Sequence, residues 1–383
     1  MTGESKHALP LFHAYPGLAV ALPWRSIGAW PTPVQRAPQF GEAHGLSSLY
    51  IKRDDLSHPM VGGNKPRGLE FLLAEALRRG AGSIVTLSSV GSHHIARTAW
   101  HARQVGIDTI AVVVDQPNAA YVRENLALAH SAGAQYIPAT YLSALPRFLY
   151  EYWRPANRRS GKPPYFVLPG GTNRLSCVGH VNAAFELRKQ IQDGLLPEPD
   201  FIFVAMGSLG TAAGLMLGCK LAGLRSRVVG IVVSHRWYCT RGRTARIARR
   251  TLRLLRQCDP SVPRVALQGS DLDIIDTALG EGYAFFTPEA VEASRQLFEL
   301  EGIVTDGTYT GKTIAGMLAF TRERANQGRI HLLWNTYHAL SSDFSVAETS
   351  DAYPAGLRRY LHEPVQPLDA RLPRLRQPND RAN

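Results

Sequence analysis

The apolar positions of this chain recur with two different periods. Leu69, Leu72, Leu73, Ala76 and Leu77 fall at helical spacing, and Ile84-Val85-Thr86-Leu87 follows as a continuous apolar run bounded by turn residues. The same reading predicts helices over 95–105 and 119–131 and strands over 109–114 and 135–138. A short strand over 48–52 leads into the turn Arg53-Asp54-Asp55. Strands alternating with helices at this interval imply a parallel sheet with crossover helices. The stretch 154–164 is polar, basic and proline-containing, and reads as a connection. The alternation then restarts with a strand over 201–205, a helix over 211–221 and a strand over 228–233. An arginine-rich helix, helices over 288–300 and 311–323, and a strand over 330–334 complete it. No internal repeat is visible.

The expected class is α/β, with two open, mostly parallel twisted sheets flanked by helices. With 383 residues there is ample chain for two lobes. Residues 1–49, rich in proline and glycine, are expected as an extended arm packing on the large lobe. Residues 50–160 would form a small lobe and 161–353 a large one. Residues 354–383 repeat proline and arginine without periodicity, and are expected to be poorly ordered or draped over the surface.

Composition narrows the classes. Hydrophobic residues make up 45% of the chain, with 34 glycines and 25 prolines, as in a globular enzyme with many tight turns. No run is long and apolar enough to span a membrane, and no cleavable leader pattern is present. Cys177, Cys219, Cys239 and Cys258 are widely spaced, which reads as free thiols in a reducing cytosol. No H-E-x-x-H and no zinc spacing occurs, so no metal is expected. The net charge of +12 is concentrated in eight arginines between Arg236 and Arg256, interleaved with Ile247, Leu252, Leu254 and Leu255. That segment reads as an amphipathic helix with a solvated basic face, or else as a face for an anionic partner.

Three strings carry candidate chemistry. In Gly62-Gly63-Asn64-Lys65 a lysine follows two glycines at a helix start. The helix dipole there disfavours an ammonium and would lower its pKa, as a lysine nucleophile requires; a solvated lysine in a turn is the alternative. Residues 205–214, AMGSLGTAAG, place small residues and two hydroxyls between a strand end and a helix start, which suits an anionic phosphate. The string is neither a P-loop nor a G-x-G-x-x-G fingerprint, and an ordinary strand–helix turn is the alternative. Residues 89–99, SVGSHHIARTA, form a second such junction, unless the two histidines are a surface feature.

Together with its flanks, IKRDDLSHPMVGGNKPRGLEFLLAEAL resembles the active-site segment of pyridoxal-phosphate enzymes of the tryptophan-synthase-β type. It is most similar to the aminocyclopropane-carboxylate deaminase and D-cysteine desulfhydrase branch, and the resemblance runs over roughly residues 49–337. It implies a cofactor held between the lobes, with Lys65 as its Schiff-base lysine and Asn64 beside it. Gly207, Ser208, Leu209, Gly210 and Thr211 resemble the phosphate cup, with Leu209 where relatives carry glycine. Ser92 and His94 match the loop that holds the substrate carboxylate. His93 replaces an asparagine that reaches the cofactor's phenolic oxygen; an imidazole could donate to the same oxygen but titrates near neutrality. The turn PGGTNRL at 169–175 resembles another family turn, of substrate-contacting or purely structural use.

In EGIVTDGTYTGK, residues 301–312, Tyr309 corresponds to an active-site tyrosine, and Tyr283 to a second; buried packing is the alternative for each. Thr310, read as a substrate contact, stands where the deaminases carry a glutamate able to meet the pyridine nitrogen. Lys312 reads as structural or surface. Thr336 keeps a hydroxyl that faces that nitrogen, but Tyr337 and His338 replace glycines and reshape the pocket.

The implied function is a cytoplasmic pyridoxal-phosphate-dependent lyase or deaminase. It would act by β-elimination on a small amino acid, giving a 2-oxo acid and ammonia, with Lys65 as base and Ser92, Tyr283 and Tyr309 around the substrate. A homodimer is expected, and neither nucleic acid nor membrane is an expected partner. The other readings are aminocyclopropane-carboxylate deaminase, a β-replacement synthase, dehydratase or racemase, and a non-catalytic binding protein that uses its arginine-rich helix.

Overall fold

The computed structural model describes residues 9–374, apart from 160, 324, 325, 327 and 340–349. Ten strands among the described residues form two sheets. They are β1 (Val34–Arg36), β2 (Ser48–Arg53), β3 (Ser83–Ser89), β4 (Asp108–Val114), β5 (Gln135–Pro138), β6 (Tyr165–Val167), β7 (Phe201–Met206), β8 (Arg227–Val232), β9 (Leu272–Ile275) and β10 (Ile330–Asn335). The larger sheet runs β1-β2-β10-β7-β8-β9 and the smaller β5-β4-β3-β6. Every pairing is parallel except β1 with β2. The expected α/β class with two mostly parallel sheets is the observed one.

Sheet membership differs from the lobes drawn on the sequence. β2 pairs with β10 from Ser48↔Ile330 to Arg53↔Asn335, so it is an inner strand of the larger sheet. β6 lies beyond residue 160 yet pairs with β3 in the smaller sheet. Order along the chain says which strands follow one another, whereas pairing is settled by long-range packing.

Residues 1–8 of the expected arm lie outside the described part, and from residue 9 it begins with two helices rather than as an extended segment. Helices Pro10–Ala14 and Pro16–Ala21 bury Leu11, Phe12 and Leu18, and the Leu11 N–H donates to Asn182 Oδ1 at 3.0 Å. Glu70 then gathers Trp24 Nε1, Trp30 Nε1 and the N–H groups of Ile27 and Gly28, at 2.7–3.2 Å, which moors the arm to helix Lys65–Arg78. At the other end, residues expected to drape or lack order form helix Ala355–His362. Its Leu357 and Tyr360 are buried in the same cluster as Val122 and Leu126 of helix Ala120–Ser131. Residues 375–383 of that tail lie outside the described part.

Two helices, Ala144–Trp153 and Cys177–Gln192, are additional to those expected from the sequence. The second is buried on nearly every side, so it carries no polar stripe to reveal its period. It also sets the geometry of the centre. A Cβ on Gly179 would lie 1.9 Å from the Arg67 carbonyl oxygen, and one on Gly214 would lie 2.4 Å from His180 Cβ. Helices Lys65–Arg78 and Gly210–Ala222 therefore both pack against it at backbone distance, and their N-termini come side by side.

A buried ionic knot fixes this arrangement from below. Arg67 pairs with Asp54 at 2.7 Å and Glu186 at 3.0 Å, and Lys52 pairs with Glu186 at 2.5 Å. Trp334 Nε1 donates to Asp54 at 2.7 Å, so β2, β10 and the lysine helix share one set of partners. Buried charges tolerate such a place only when each is paired and hydrogen-bonded. The arginine-rich helix, Arg241–Cys258, buries Ala245, Ala248, Leu252 and Leu255. Arg241, Arg249 and Arg256 donate to the carbonyls of Leu272, Leu267 and Val262, so part of its basic face serves the chain itself. Among the described residues, no helix is long and apolar enough to cross a membrane. All four cysteines are free.

Candidate functional site

Lys65 opens its helix two residues after Gly63, whose φ of +95° lies in a region that favours glycine. The Gly63 N–H donates to Asp54 O at 3.0 Å, Ser57 Oγ donates to Gly63 O at 2.7 Å, and the Asn64 N–H donates to Thr336 O at 3.3 Å. The turn is thus pinned on three sides, and the lysine side chain enters a cavity of about 450 Å³ between the two sheets. Enclosure by protein, and secondarily the charge of Arg97, bring the Lys65 ammonium down from 10.5 to about 8. Burial is therefore the main cause, beyond the helix position read from the sequence.

Facing the lysine, the β7–helix junction supplies Gly207, Ser208, Leu209, Gly210 and Thr211, all in the cavity wall. Asn64 Nδ2 donates to Thr211 Oγ1 at 2.9 Å and so ties the lysine turn to this junction. Leu209 has φ +73°, a left-handed conformation costly for a leucine, while its side chain is buried. The backbone therefore takes the path that a glycine would take, and the side chain turns into the core. Across from it, Thr172 Oγ1 donates to Ser208 Oγ at 2.8 Å, which buttresses the junction from the 169–175 turn.

Ser92 caps helix His93–Arg103, its Oγ accepting from the His94 N–H at 3.2 Å and from Ser88 Oγ at 2.9 Å. His94 sits against Thr86 Oγ1 at 3.0 Å through Nε2 and Thr98 Oγ1 at 3.2 Å through Nδ1. Burial and then the Lys65 charge push its pKa down to about 3, so it is neutral and both ring nitrogens are engaged. His93 is stacked on Tyr121 with centroids 5.2 Å apart, and edge-on to Tyr309 and Tyr337. Burial, followed by the charges of Arg97 and Lys65, holds its pKa well below the ordinary value. The titration near neutrality expected from the sequence is thereby removed. Its Nε2 is buried with no partner among the described residues and belongs to a ring in the cavity wall.

On the far wall the Tyr283 and Tyr309 hydroxyls are 2.6 Å apart, and Ser89 Oγ donates to Tyr283 at 3.1 Å. Burial raises both phenols, that of Tyr309 well above its ordinary range. Asp306 accepts from the N–H groups of Thr308, Tyr309 and Thr310 at 2.8–3.2 Å, which sets the turn that presents Tyr309. Thr336 and Tyr337 complete the wall. His338 faces away, its ring nitrogens against the carbonyls of Asp55 at 2.5 Å and Met60 at 2.9 Å, so only Tyr337 reshapes the pocket.

Of the residues read from the sequence as catalytic, cofactor-binding or substrate-binding, only Thr310 stays out of the wall. It is fully buried behind it, its hydroxyl donating to Asn335 Oδ1 at 3.1 Å, which corrects its reading as a substrate contact. Its motif neighbour Tyr309 faces the cavity, and adjacent helix positions point in different directions. Lys312 is structural, donating to the carbonyls of Leu279 and Gly282 at 2.7 and 2.8 Å. Tyr141, Leu145, Trp237 and Tyr238 also line the cavity, and no periodicity or motif in the sequence pointed to them.

The profile of the pyridoxal-phosphate-dependent enzyme family matches residues 25–333. The chain belongs to that family. A relative from Thermotoga maritima, provisionally named 1-aminocyclopropane-1-carboxylate deaminase, is 30% identical over 295 residues, covering 76% of this chain and 89% of the relative. The crystal structure of a homologue of that deaminase superposes with a TM-score of 0.70 at 29% identity, covering 84% of this chain and 93% of its own. A fungal L-serine ammonia-lyase from Rhizomucor miehei shares the fold, with a TM-score of 0.55 at 16% identity over 82% of this chain and 94% of its own.

The cavity of this pyridoxal-phosphate-dependent enzyme fits the cofactor. An amine of lowered pKa enters it at Lys65, the N-terminus of helix Gly210–Ala222 opens onto it, and the unpartnered Nε2 of His93 is available for a polar atom.

Proposed function

We propose that this enzyme is a β-eliminating lyase of the D-cysteine desulfhydrase kind, releasing a 2-oxo acid and ammonia from a small amino acid. The observation that carries the reading is the composition of the wall. Among the described residues it contains one ordinarily charged side chain, Lys65, and no carboxylate. Asp306, the nearby buried acid, spends its oxygens on backbone N–H groups. A pyridine nitrogen would meet the hydroxyl of Thr336 rather than an acid, and would stay largely unprotonated.

Bound cofactor supplies the electron sink for negative charge at Cα, and a weaker sink favours loss of a good β-leaving group over opening a cyclopropane ring. Lys65 would hold the cofactor through its ε-amine and then take the Cα proton. The junction 207–211, with its small residues and N–H groups at a helix start, would hold the phosphate. The N–H groups at the start of helix His93–Arg103, with Ser92, would receive the substrate carboxylate. Nε2 of His93 would donate to the cofactor's ring oxygen. The Cα–H electron pair becomes a Cα=Cβ bond as the Cβ–S bond breaks with its pair on sulfur. Tyr309, hydrogen-bonded to Tyr283, would give sulfur its proton. Water then replaces nitrogen on the released enamine, so cysteine and water yield hydrogen sulfide, pyruvate and ammonium.

Four free, widely spaced thiols support a reducing, cytoplasmic setting, and a homodimer is the assembly the reading implies. The test offers both enantiomers of cysteine, β-chloroalanine and aminocyclopropane carboxylate, with ammonia and 2-oxo acid as readouts. Elimination from the cysteines or β-chloroalanine is expected. Efficient turnover of the cyclopropane alone overturns the preference, and the name of the Thermotoga relative makes that the second reading.

A further inference from the structure

The cavity has a polar floor and an apolar mouth. Beyond Lys65 and the helix starts, its outer part is lined by Tyr141, Leu145, Trp237 and Tyr238. Three of these are large apolar side chains left open to solvent: Tyr141 at 65%, Leu145 at 58% and Trp237 at 68% exposure. They come from both halves of the fold. Tyr141 and Leu145 follow β5 of the smaller sheet, and Trp237 follows β8 of the larger one.

The aromatic groups are braced. Tyr141 donates its hydroxyl to Asp115 O at 3.1 Å. Trp237 lies stacked on His235, with centroids 5.9 Å apart, and edge-on to Tyr238. The Arg243 guanidinium sits 5.3 Å from the Trp237 ring and 5.1 Å from that of Tyr238. In the elimination reading the substrate's carboxylate and amine are held at the floor, so a cysteine-sized substrate has no use for these side chains. Apolar groups held in water at the rim of a ligand cavity gain by covering an apolar part of the ligand. Rings contributed to one cavity from both halves of the fold favour a planar group, through offset or edge-on contact.

Resting on the elimination reading above, we propose that the preferred substrate is an amino acid whose β-sulfur carries an aromatic group, which lies between Trp237 and the Tyr141–Leu145 side. The reaction then releases a thiol that bears this aromatic group in place of hydrogen sulfide, with the same water consumed and the same 2-oxo acid and ammonium formed.

The experiment uses the holoenzyme with S-benzylcysteine and cysteine, each as both enantiomers, and compares wild type with Trp237→Ala and Leu145→Ser. The ratio of kcat/KM for the benzyl compound over cysteine should exceed one in wild type and fall about tenfold in Trp237→Ala, the scale on which apolar pockets discriminate. Calorimetric binding of phenylalanine against alanine, which have no leaving group, provides a readout independent of turnover. Phenylalanine should bind tighter, and Trp237→Ala should remove the advantage. If nothing is eliminated but that binding difference persists, the mouth is supported and the elimination reading fails. If cysteine is eliminated while neither the ratio nor the binding difference responds to Trp237→Ala, the proposal is overturned and elimination stands. Thermal unfolding of both variants checks that each is folded.

Discussion

The side-chain amide nitrogen of Asn125 lies 3.4 Å from Nδ1 of His93, and the amide has one orientation open to it. Its oxygen accepts from the Arg97 guanidinium, which can only donate, and its nitrogen donates to Gly91 O at 2.9 Å. The nitrogen therefore presents a donor to Nδ1, which places the single proton of the neutral imidazole on Nε2, the buried ring nitrogen that has no partner among the described residues. Arg97 and Asn125 thus decide which hydrogen-bonding face His93 shows a ligand.

Asn125→Asp tests this relationship. The carboxylate offers Nδ1 an acceptor, draws the proton there and leaves Nε2 with a lone pair towards the cofactor's ring oxygen. Loss of one such hydrogen bond in a buried site costs about 1–3 kcal/mol, so cofactor affinity should drop roughly tenfold to a hundredfold. Nitrogen-15 shifts of His93 in the apoprotein report the tautomer directly. An unchanged tautomer with unchanged affinity refutes the role of Asn125.

Lys65 should bind the cofactor covalently, and borohydride reduction followed by peptide mapping should find the label there. With its ammonium lowered to about 8, the reactive free amine increases as pH rises through that value, so the rate of reconstitution should climb with a midpoint near it. Arg97→Met removes a positive charge that lowers the lysine, and should move the midpoint to higher pH. A label on another lysine defeats the assignment.

Glu186 should govern stability in acid. Its carboxyl is buried, and although burial alone raises it, the charges of Arg67 and Lys52 hold it down from 4.5 to about 2. A depressed acid contributes stability that is fully present above about pH 4.5 and is lost as pH falls through 2. Glu186→Gln leaves two buried cations short of a partner and should cost about 3–5 kcal/mol near neutrality. Urea unfolding of the two proteins from pH 7 downwards measures it, and the part of the acid slope that belongs to Glu186 should vanish in the variant.

Leu209→Gly sets two effects against each other. Relief of the left-handed conformation returns about 1–2 kcal/mol, while deleting a buried leucine side chain costs about 2–5 kcal/mol. Burial wins, so the apoprotein should lose roughly 1–3 kcal/mol. Because the backbone already follows the glycine path, cofactor affinity should change less than twofold. Gly210→Val, by contrast, drives a side chain towards Thr172 Oγ1, 2.6 Å from an added Cβ, and should weaken the cofactor far more than removal of any arginine of helix Arg241–Cys258. Calorimetric titration with pyridoxal phosphate separates the two variants, and equal losses would count against the proposed phosphate site.

The sequence by itself determined the local devices. Gly63 before Lys65 and the small residues 207–211 before a helix are each written in neighbouring residues, because a turn and a helix start are fixed by the few side chains around them. It also determined the α/β class, since alternating periods leave little else. Tertiary structure alone decided that β2 belongs with β10, that β6 joins the smaller sheet, and that Thr310 turns to Asn335 while Tyr309 faces the cavity. It decided the neutral state and tautomer of His93, through burial and through Asn125, 32 residues away. The mouth of Tyr141, Leu145 and Trp237 joins residues from two sheets. Pairing, burial and electric field arise between segments that are distant in sequence, and no local pattern of polar and apolar positions encodes them.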